Sequence, residues 1–282
     1  MYSAVYIADN GEKYVFGKDG SNVFDMNVGD GVSVELGTSQ GFSQVGETIE
    51  SQTVAGRVIN VSGVVFGDVV ERKRTMRKVI APLSSGRLIF EGTHYTRVAV
   101  KSAPTFSPIK DDGRFSLQFF APFPFFFEIN EKSSVIGSVS PLFSFPVNYA
   151  TPHQFGTKAG ERYTNVVNSG DVKIPFSVNL QSSGVSSNIN IANLKTFEFL
   201  KINGTLNAGD IFRVYRDDQN VLRAELQANG ETKDVISWID EDSSLFELNV
   251  GDNLILVTDD QGGAALTAHF NYNLAVGALY ES

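Results

Sequence analysis

The sequence predicts a mostly β protein of two domains, each an antiparallel sandwich, with a single helix in the first domain. Three observations support this prediction. Most of the chain consists of short runs of alternating apolar and polar residues, separated by Gly, Asn and Asp turns, as in the strands of sandwiches. Residues 68–81 alone carry apolar residues at helical spacing. The length of 282 residues suffices for two domains that each bury a core.

The first domain is predicted to span residues 1–132. Alternation with Val and Ile enrichment predicts its strands, which lie at 54–66, 87–90, 95–101 and 113–120. The helix over 68–81 stands between the first two strands, with Asp68 as its N-cap and Pro82 at its end. One face of this helix is expected to be apolar, formed by Val69, Val70, Met76, Val79 and Ile80.

The helix also carries the densest positive charge of the chain, in the run ERKRTMRK at 71–78. This run has three interpretations: a solvated helix face, a nucleic-acid contact, or a positive surface that meets a neighbouring copy or partner of an otherwise acidic protein. Under the third interpretation, Arg72, Arg74 and Arg77 are candidate residues of a subunit interface.

The second domain is predicted to span residues 133–282, after a linker at about 130–149 that is rich in Ser and contains Pro141 and Pro146. Its strands are expected at 174–180, 195–202, 211–216, 221–226, 253–258 and 265–272. Their spacing, with turns between them, favours antiparallel pairing over parallel strand–helix–strand units.

The tetrapeptide Asn-x-Gly-Asp occurs four times, each time just before an apolar run: Asn27–Asp30, Asn168–Asp171, Asn207–Asp210 and Asn249–Asp252. Calcium loops and β-turns are the two interpretations. A calcium loop needs at least about five oxygen ligands from one compact segment, and each tetrapeptide supplies two. The β-turn is therefore favoured, because Asn and Gly accept left-handed backbone angles.

Composition limits the classes of function that the protein can have. The net charge of −9 and the pI near 4.9 argue against a nucleic-acid coat, which binds phosphates through Lys and Arg. No cysteine is present, so disulfides and thiolate metal sites are excluded. The N-terminus lacks the pattern of a secretory signal, and no apolar run reaches the length of about 18 residues that spans a membrane. Membrane insertion is not expected.

Motifs for catalysis and cofactor binding are also missing. The sequence has no nucleophile elbow, phosphate loop or dinucleotide fingerprint. The three histidines, His94, His153 and His269, are far apart and have no second ligand at metal-binding spacing. We therefore expect no enzyme activity, no cofactor and no metal. The acidic turn with Asp240 and Asp242 leaves a glycoside hydrolase as a third hypothesis, which would need two carboxylates across a cleft.

The segment FSLQFFAPFPFFFEI, residues 115–129, holds seven phenylalanines in fifteen positions. Residues 115–120 are expected to form a strand, whereas the part from Pro122 to Phe127 holds more aromatic rings than one strand face can bury. We expect some of these rings to pack at the domain junction or against a neighbouring subunit. The candidates are Phe123, Phe125, Phe126 and Phe127; the alternative is that every ring lies in the core of its own domain.

Six segments of the chain form a pattern in their order and spacing. They are the strand–basic helix–strand unit RVINVSGVVFGDVVERKRTMRKVIAPLSSGRLIF at 57–90, the Phe-rich segment at 115–129, SPLFSFP (140–146), VVNSGDVKIPFSV (166–178), INGTLNAGD (202–210) and SSLFELNVGDNLILV (243–257). In these segments the chain resembles the distal tail proteins (Dit) of long-tailed, non-contractile bacteriophages and their prophages. The resemblance covers nearly the whole length.

This resemblance implies an architecture and a function. The first domain would be a tail-tube-like β-sandwich with one helix, six copies of which close into a ring that lets the tape-measure protein and then DNA pass. The ring would join the tail tube to the tail-tip hub in the virion, after assembly in the bacterial host cytoplasm. The second domain would be a galectin-like sandwich that holds receptor-binding proteins or touches host-surface sugar. No catalytic residues come with this family.

A carbohydrate-binding module is the alternative, either as the whole function or as the task of the second domain. β-Sandwiches often bind sugar through stacked aromatic rings, and Trp238 is the single tryptophan of the chain. It is interpreted either as a stacking platform or as an anchor in the core of the second sandwich. Self-association separates the two functions, because a ring-forming protein must oligomerise and a sugar-binding module need not.

Overall fold

The computed structural model describes residues 3–17, 21–137, 139–141, 156–158, 163–217, 221–244, 246–261 and 265–279. The chain divides into two compact units. Unit 1 comprises Met1–Asn130 together with Ala275–Ser282, and unit 2 comprises Glu131–Leu274. Apart from one α-helix and one short 3-10 helix, the regular elements of the described residues are strands, so the predicted mostly β fold class is confirmed.

Unit 1 contains most of its elements in the first 130 residues. They are β1 (Ala4–Ala8), β2 (Lys13–Phe16), β3 (Ser21–Met26), β4 (Val34–Ser39), β5 (Thr48–Val54), β6 (Arg57–Val65), α1 (Val69–Val79), β7 (Ser85–Phe90), β8 (His94–Phe106), β9 (Arg114–Ala121) and β10 (Phe126–Glu128). The strands pair antiparallel throughout.

The main sheet of unit 1 curls around an aromatic core. Its strand order is β2-β1-β7-β8-β9-β6-β3, with β10 added to β8. The two outer strands β2 and β3 are consecutive in the chain, and the Gly17 N–H donates to the Ser21 carbonyl at 3.1 Å, so the sheet bends back on itself. Inside, the ring of Tyr6 stacks on Phe119 with centroids 5.0 Å apart, and Phe16 stacks on Phe115 at 6.4 Å.

Helix α1 packs its buried residues onto this core. Met76 and Ile80 are fully buried and Val79 nearly so. The Asp68 side chain accepts a hydrogen bond from the Glu71 N–H at 3.0 Å, which confirms the predicted N-cap. Val70 differs from the prediction. Its side chain is 49% exposed, because its position on the helix turns it away from the sheet.

Strands β4 and β5 stand apart from the curled sheet. They pair with each other and with no other described strand. Every residue from 33 to 54 is exposed. This hairpin was not predicted from the sequence, because its strands contain Gly, Ser, Thr and Glu rather than a dense apolar run.

Unit 2 begins one residue after Asn130. Its strands and that of the C-terminal segment are β11 (Lys132–Ile136), β12 (Val139–Pro141), β13 (Gly156–Lys158), β14 (Tyr163–Asn168), β15 (Ser177–Ser182), β16 (Ser186–Asn193), β17 (Phe199–Leu206), β18 (Ile211–Arg216), β19 (Leu222–Ala228), β20 (Glu231–Asp234), β21 (Gly251–Thr258), β22 (Leu266–Tyr272) and β23 (Ala275–Val276). The 3-10 helix is Ile236–Trp238.

Two sheets form the body of unit 2. One has the order β11-β22-β15-β18-β19-β20 and the other β14-β21-β16-β17, while β12 and β13 pair with each other. Each sheet buries one face: Leu180, Phe212 and Phe270 are fully buried in the first, and Ile191 and Ile202 in the second. Alternation along the strands therefore produces the predicted sandwich core.

The structure differs from the predicted division at both ends of unit 2. Residues 275–279, assigned to the second domain by sequence, return to unit 1, where β23 pairs with β10 and the Leu279 N–H donates to the Val28 carbonyl at 3.0 Å. Within the predicted linker 130–149, Lys132–Ile136 forms the edge strand β11. An edge strand with one exposed face can contain Lys and Ser. The composition of this segment therefore predicted a linker rather than a strand. Residues 142–149 and His153 lie outside the described residues.

Trp238 anchors unit 2, as one of the two interpretations predicted. Its ring lies parallel to the buried ring of Phe212, with centroids 6.2 Å apart, and covers the backbone of Gly204. A Cβ at Gly204 would lie 1.8 Å from the indole atom Cε3, so only glycine fits beneath this ring.

We therefore expect Gly204→Ala to destabilise unit 2 by about 1–3 kcal/mol, because the added methyl group displaces the indole ring. The measurement is denaturant unfolding followed by tryptophan fluorescence. Gly184→Ala is the matched control in the same unit, since its new Cβ would lie 3.4 Å from the Ala265 Cβ. Equal stability of the two variants would contradict this account of the ring.

Candidate functional site

The outer surface of α1 carries the predicted cations. Arg74, Arg77 and Lys78 are exposed, whereas Arg72 is half-buried and is one of the groups that act on Tyr14. Burial raises the pKa of Tyr14, and the Arg72 charge opposes that rise. The three predicted arginines therefore do not share one environment, and Arg74 and Arg77 remain as the accessible pair.

Neighbouring groups hold several of these cations in place. The Arg77 guanidinium lies 4.9 Å from the centroid of the Phe106 ring, and the Lys73 ammonium lies 5.7 Å from it. Lys73 also donates to the carbonyl of Ile109 at 3.3 Å, and Lys78 forms an ion pair with Glu12. Such contacts fix the positive side chains over an aromatic ring and leave the outer face of the helix accessible.

The Phe-rich segment divides between core and surface. Phe126 is fully buried and meets Phe90 edge to face, with centroids 5.2 Å apart. The structure thus removes Phe126 from the predicted interface, because a ring inside the core of unit 1 has no surface for a neighbouring copy. Strand alternation explains this within β10, which turns Phe126 into the core and leaves the next residue, Phe127, half-buried.

The other three phenylalanines form a half-buried cluster on unit 1. Phe123 stacks on Phe127 and meets Phe125 edge to face, with centroids 5.2 Å apart in both pairs. The Tyr95 ring lies 5.7 Å from Phe127 and extends the cluster. The contact predicted for these three residues stays a prediction, and their partial exposure is compatible with it.

A buried arginine that sequence reasoning missed lies behind the segment. The Arg57 guanidinium stacks over the Phe126 ring at 4.7 Å, donates from Nη1 to the Val28 carbonyl at 3.2 Å, and donates from Nη2 to the Gly277 carbonyl. Burial lowers the pKa of Arg57. This side chain fastens the C-terminal segment to unit 1. No signal in the sequence marks it, since an Arg at a strand start is normally exposed.

In unit 2, a row of polar side chains crosses the exposed face of the six-stranded sheet. Cross-strand register places His269 beside Asn179, Asn179 beside Arg213, Arg213 beside Glu225, and Glu225 beside Asp234. Most of this row lines an open depression of about 520 Å³, together with Gln181, Ile211, Gln227 and Thr232. Both hydrogen-bond donors and acceptors therefore face the same depression.

Tyr215 holds two neighbouring members of the row in place. Its hydroxyl donates to the Glu225 carboxylate at 2.9 Å, and the Arg213 guanidinium lies 4.3 Å from the centroid of its ring. The hydrogen bond to Glu225 raises the pKa of Tyr215. These contacts orient an arginine and a carboxylate side by side on a rigid sheet. The row was not predicted from the sequence, because its members are distant from one another in the chain.

Asp240 does not have the environment of a glycosidase acid. Its carboxylate accepts hydrogen bonds from Asn203 at 2.8 Å, from Lys201 at 3.1 Å and from the Asp242 N–H at 3.0 Å. Asn203 first, and then the other two groups, lower the pKa of Asp240 to about 2. A general acid in glycoside hydrolysis requires the opposite shift.

The described residues contain no group of three or more His, Asp or Glu side chains arranged to hold a metal ion. His94 and His269 belong to different units.

The Asn-x-Gly-Asp segments form hydrogen bonds within themselves. The Asn168 side chain accepts a hydrogen bond from the Gly170 N–H at 3.0 Å, and the Asp210 side chain accepts one from the Asn207 N–H at 2.8 Å. None of the helices in the described part is long and apolar enough to cross a membrane.

Residues 169–273 match the family described as the siphovirus-type tail component, C-terminal domain. In fold, 98% of the chain matches 99% of the Dit protein of phage SPP1, described as a paradigm of the hub adsorption apparatus in phages that infect Gram-positive bacteria, with a TM-score of 0.69 and 15% identity. The resemblance to the distal tail proteins is confirmed.

Two further structures have a similar fold. A chain of the phage P2 baseplate in its activated conformation with Ca matches with a TM-score of 0.54 and 9% identity, over 99% of both chains. A chain of the same baseplate with Sr matches with a TM-score of 0.51 and 9% identity, over 96% of this chain and 97% of that one. A search of curated proteins by sequence finds no match.

The two environments in the Phe-rich segment lead to different expectations for single substitutions. Phe126→Ser should lower the stability of unit 1 by about 3–5 kcal/mol, because it empties a core position. Phe125→Ser should leave a folded protein and weaken self-association. Circular dichroism melts and light scattering on both variants test this. If Phe125→Ser unfolds as readily as Phe126→Ser, Phe125 belongs to the core and not to a contact surface.

Proposed function

We propose that this chain is a structural, non-catalytic protein of a phage or prophage tail tip, part of the baseplate hub of the virion. The observation that carries the proposal is the whole-length match in fold to SPP1 Dit, which covers both units in one chain. The family match over 169–273 supports it independently, because it rests on sequence rather than on fold.

The finer proposal is a ring of six copies that joins the tail tube to the tail-tip hub, assembled in the host cytoplasm. Unit 1 would build the ring, whose channel lets the tape-measure protein and DNA pass. Ring contacts are heterologous, so one surface of each copy meets a different surface of the next. An acidic chain with net charge −9 and one basic helix has surfaces of opposite sign for such a contact.

In this role the partners are other copies of the chain, the tail tube protein and the tail-tip hub protein. Unit 2, as a galectin-like domain, would carry a receptor-binding protein. Unit 2 is a separate compact sandwich with its own core, as a domain that presents a binding surface requires.

We expect the purified protein to show a species near six times 30.7 kDa in light scattering over a concentration series. Heterologous contacts that close into a ring give one species of defined mass. Contacts that do not close give open assemblies, whose mass rises continuously with protein concentration. A continuous rise, or a mass that stays at one chain at every concentration, would contradict ring formation by the chain alone.

The polar row on unit 2 favours a second candidate function, the binding of host-surface carbohydrate. Sugar hydroxyls require paired donors and acceptors, and Arg213, Glu225, Asn179 and His269 present both around one depression. Tyr215 lies beside them, although its ring is engaged by Arg213. Trp238 takes no part in this surface, because its ring stacks on Phe212.

A glycan array and calorimetry test this second function. We expect Arg213→Ala and Glu225→Ala to weaken glycan binding by about tenfold or more, because each removes a charged hydrogen-bonding group. Lys173→Ala is the control, since Lys173 is exposed on the same unit and does not line the depression. Absence of any bound glycan, or equal binding by all three variants, would reject carbohydrate recognition at this face.

A further inference from the structure

The β4–β5 hairpin is an unsupported element within its own chain. A two-stranded hairpin in water is at best marginally stable by itself. In this hairpin, residues 33–54 are exposed throughout, and neither strand pairs with the curled sheet. Both outer edges therefore carry backbone groups that no described strand satisfies, and edges of this kind readily take a partner.

One face of the hairpin is apolar. Register places Val34 opposite Val54, Leu36 opposite Gln52, and Thr38 opposite Ile49, after a bulge that shifts the pairing. Residues opposite each other share a face, so the four apolar side chains lie on one side. All four are slightly more than half exposed: Val34, Leu36, Ile49 and Val54.

The tip of the hairpin extends this apolar surface. Phe42 and Val45 lie between the two strands and are completely exposed. A fully solvated Phe at the end of an amphipathic ribbon is costly unless a partner covers it, and contiguous apolar surface of this kind marks an interaction site.

The charge of the hairpin indicates which surface it contacts. Between residues 33 and 54 the charged side chains are Glu35, Glu47 and Glu50, with no Lys or Arg. The outer surface of α1 has the opposite sign, with exposed Arg74 and Arg77. It also carries apolar groups that the hairpin face can cover, since Val70 is 49% exposed and Ile109, beside Lys73, is 63% exposed.

We propose that the β4–β5 hairpin of one copy docks on the outer surface of α1 of a second copy. The two surfaces do not cover each other within one chain, because both are exposed there. The apolar face of the hairpin covers Val70, and Glu47 and Glu50, near the tip of the hairpin, lie beside Arg74 and Arg77. Glu35 alternates with Val34 and Leu36 and points to the opposite face of the hairpin. The contact joins two different surfaces, so it repeats from copy to copy. It rests on the proposed ring and specifies one of its contacts.

Site-specific photocross-linking tests the contact directly. Phe42 is replaced by p-benzoylphenylalanine in the full chain, and equal amounts of ¹⁴N- and ¹⁵N-labelled protein are mixed before irradiation. We expect cross-links between a light and a heavy chain on peptides that contain residues 69–79. The control carries the same replacement at Phe24, which is 67% exposed on the same unit, and should give no cross-links to these peptides.

The mass of the same sample separates the two proposals. A six-copy species with Phe42 cross-links outside 69–79 overturns the docking contact and leaves the ring standing. Cross-links to 69–79 in a sample of another mass support the contact and reject the six-copy ring. No cross-links between chains, or cross-links that form only with another protein present, overturn the docking contact.

Charge exchange tests the same contact in a second way. Glu47→Arg with Glu50→Arg, and separately Arg74→Glu with Arg77→Glu, should each weaken self-association by about tenfold or more. All four changes together should restore it. Lys173→Glu with Lys233→Glu matches the second pair in charge at exposed positions of unit 2 and should have no effect. Failure of the fourfold variant to recover while it remains folded would overturn the charge pairing.

Discussion

Strand alternation is the constraint on which the rest of the structure depends. A sheet that buries one face can use every second side chain for the core, and the remaining side chains must face outward. In β10 this rule separates Phe126, which is fully buried, from Phe127, which is half-buried. In β18 it turns Phe212 into the core and Arg213 outward. Core and candidate surfaces therefore come from the same strands.

In unit 1, aromatic rings hold cationic side chains in fixed positions. Arg77 and Lys73 lie over Phe106, and Arg57 lies over Phe126 while it holds the C-terminal segment. A guanidinium over an aromatic ring keeps its charge while its apolar surface is covered. The positive side chains of α1 are in this way held against a rigid core. Ordering flexible side chains on binding costs free energy, so a surface that binds another copy benefits from side chains that are already fixed.

Alternation of apolar and polar residues predicted several strands of both units, but it did not predict β1, β3 and β16, whose residues also alternate between buried and more exposed positions. β6, β9, β18 and β22 fall where alternation placed them, and α1 has its predicted N-cap. The β4–β5 hairpin was missed because it buries nothing within the chain, so it lacks the core-facing pattern on which the prediction depends. β11 was taken for a linker for the same reason, since its exposed face carries Lys and Ser.

The sequence by itself determined the fold class, the position of the helix and its charge, and the resemblance to distal tail proteins, because these are encoded in local periodicity and in the order of segments. Only the tertiary structure decided which phenylalanine is buried, which cations remain accessible, and that His269, Asn179, Arg213 and Glu225 form one row. Those outcomes depend on register between strands that are distant in the chain, and a one-residue shift of register would reverse the face of every side chain.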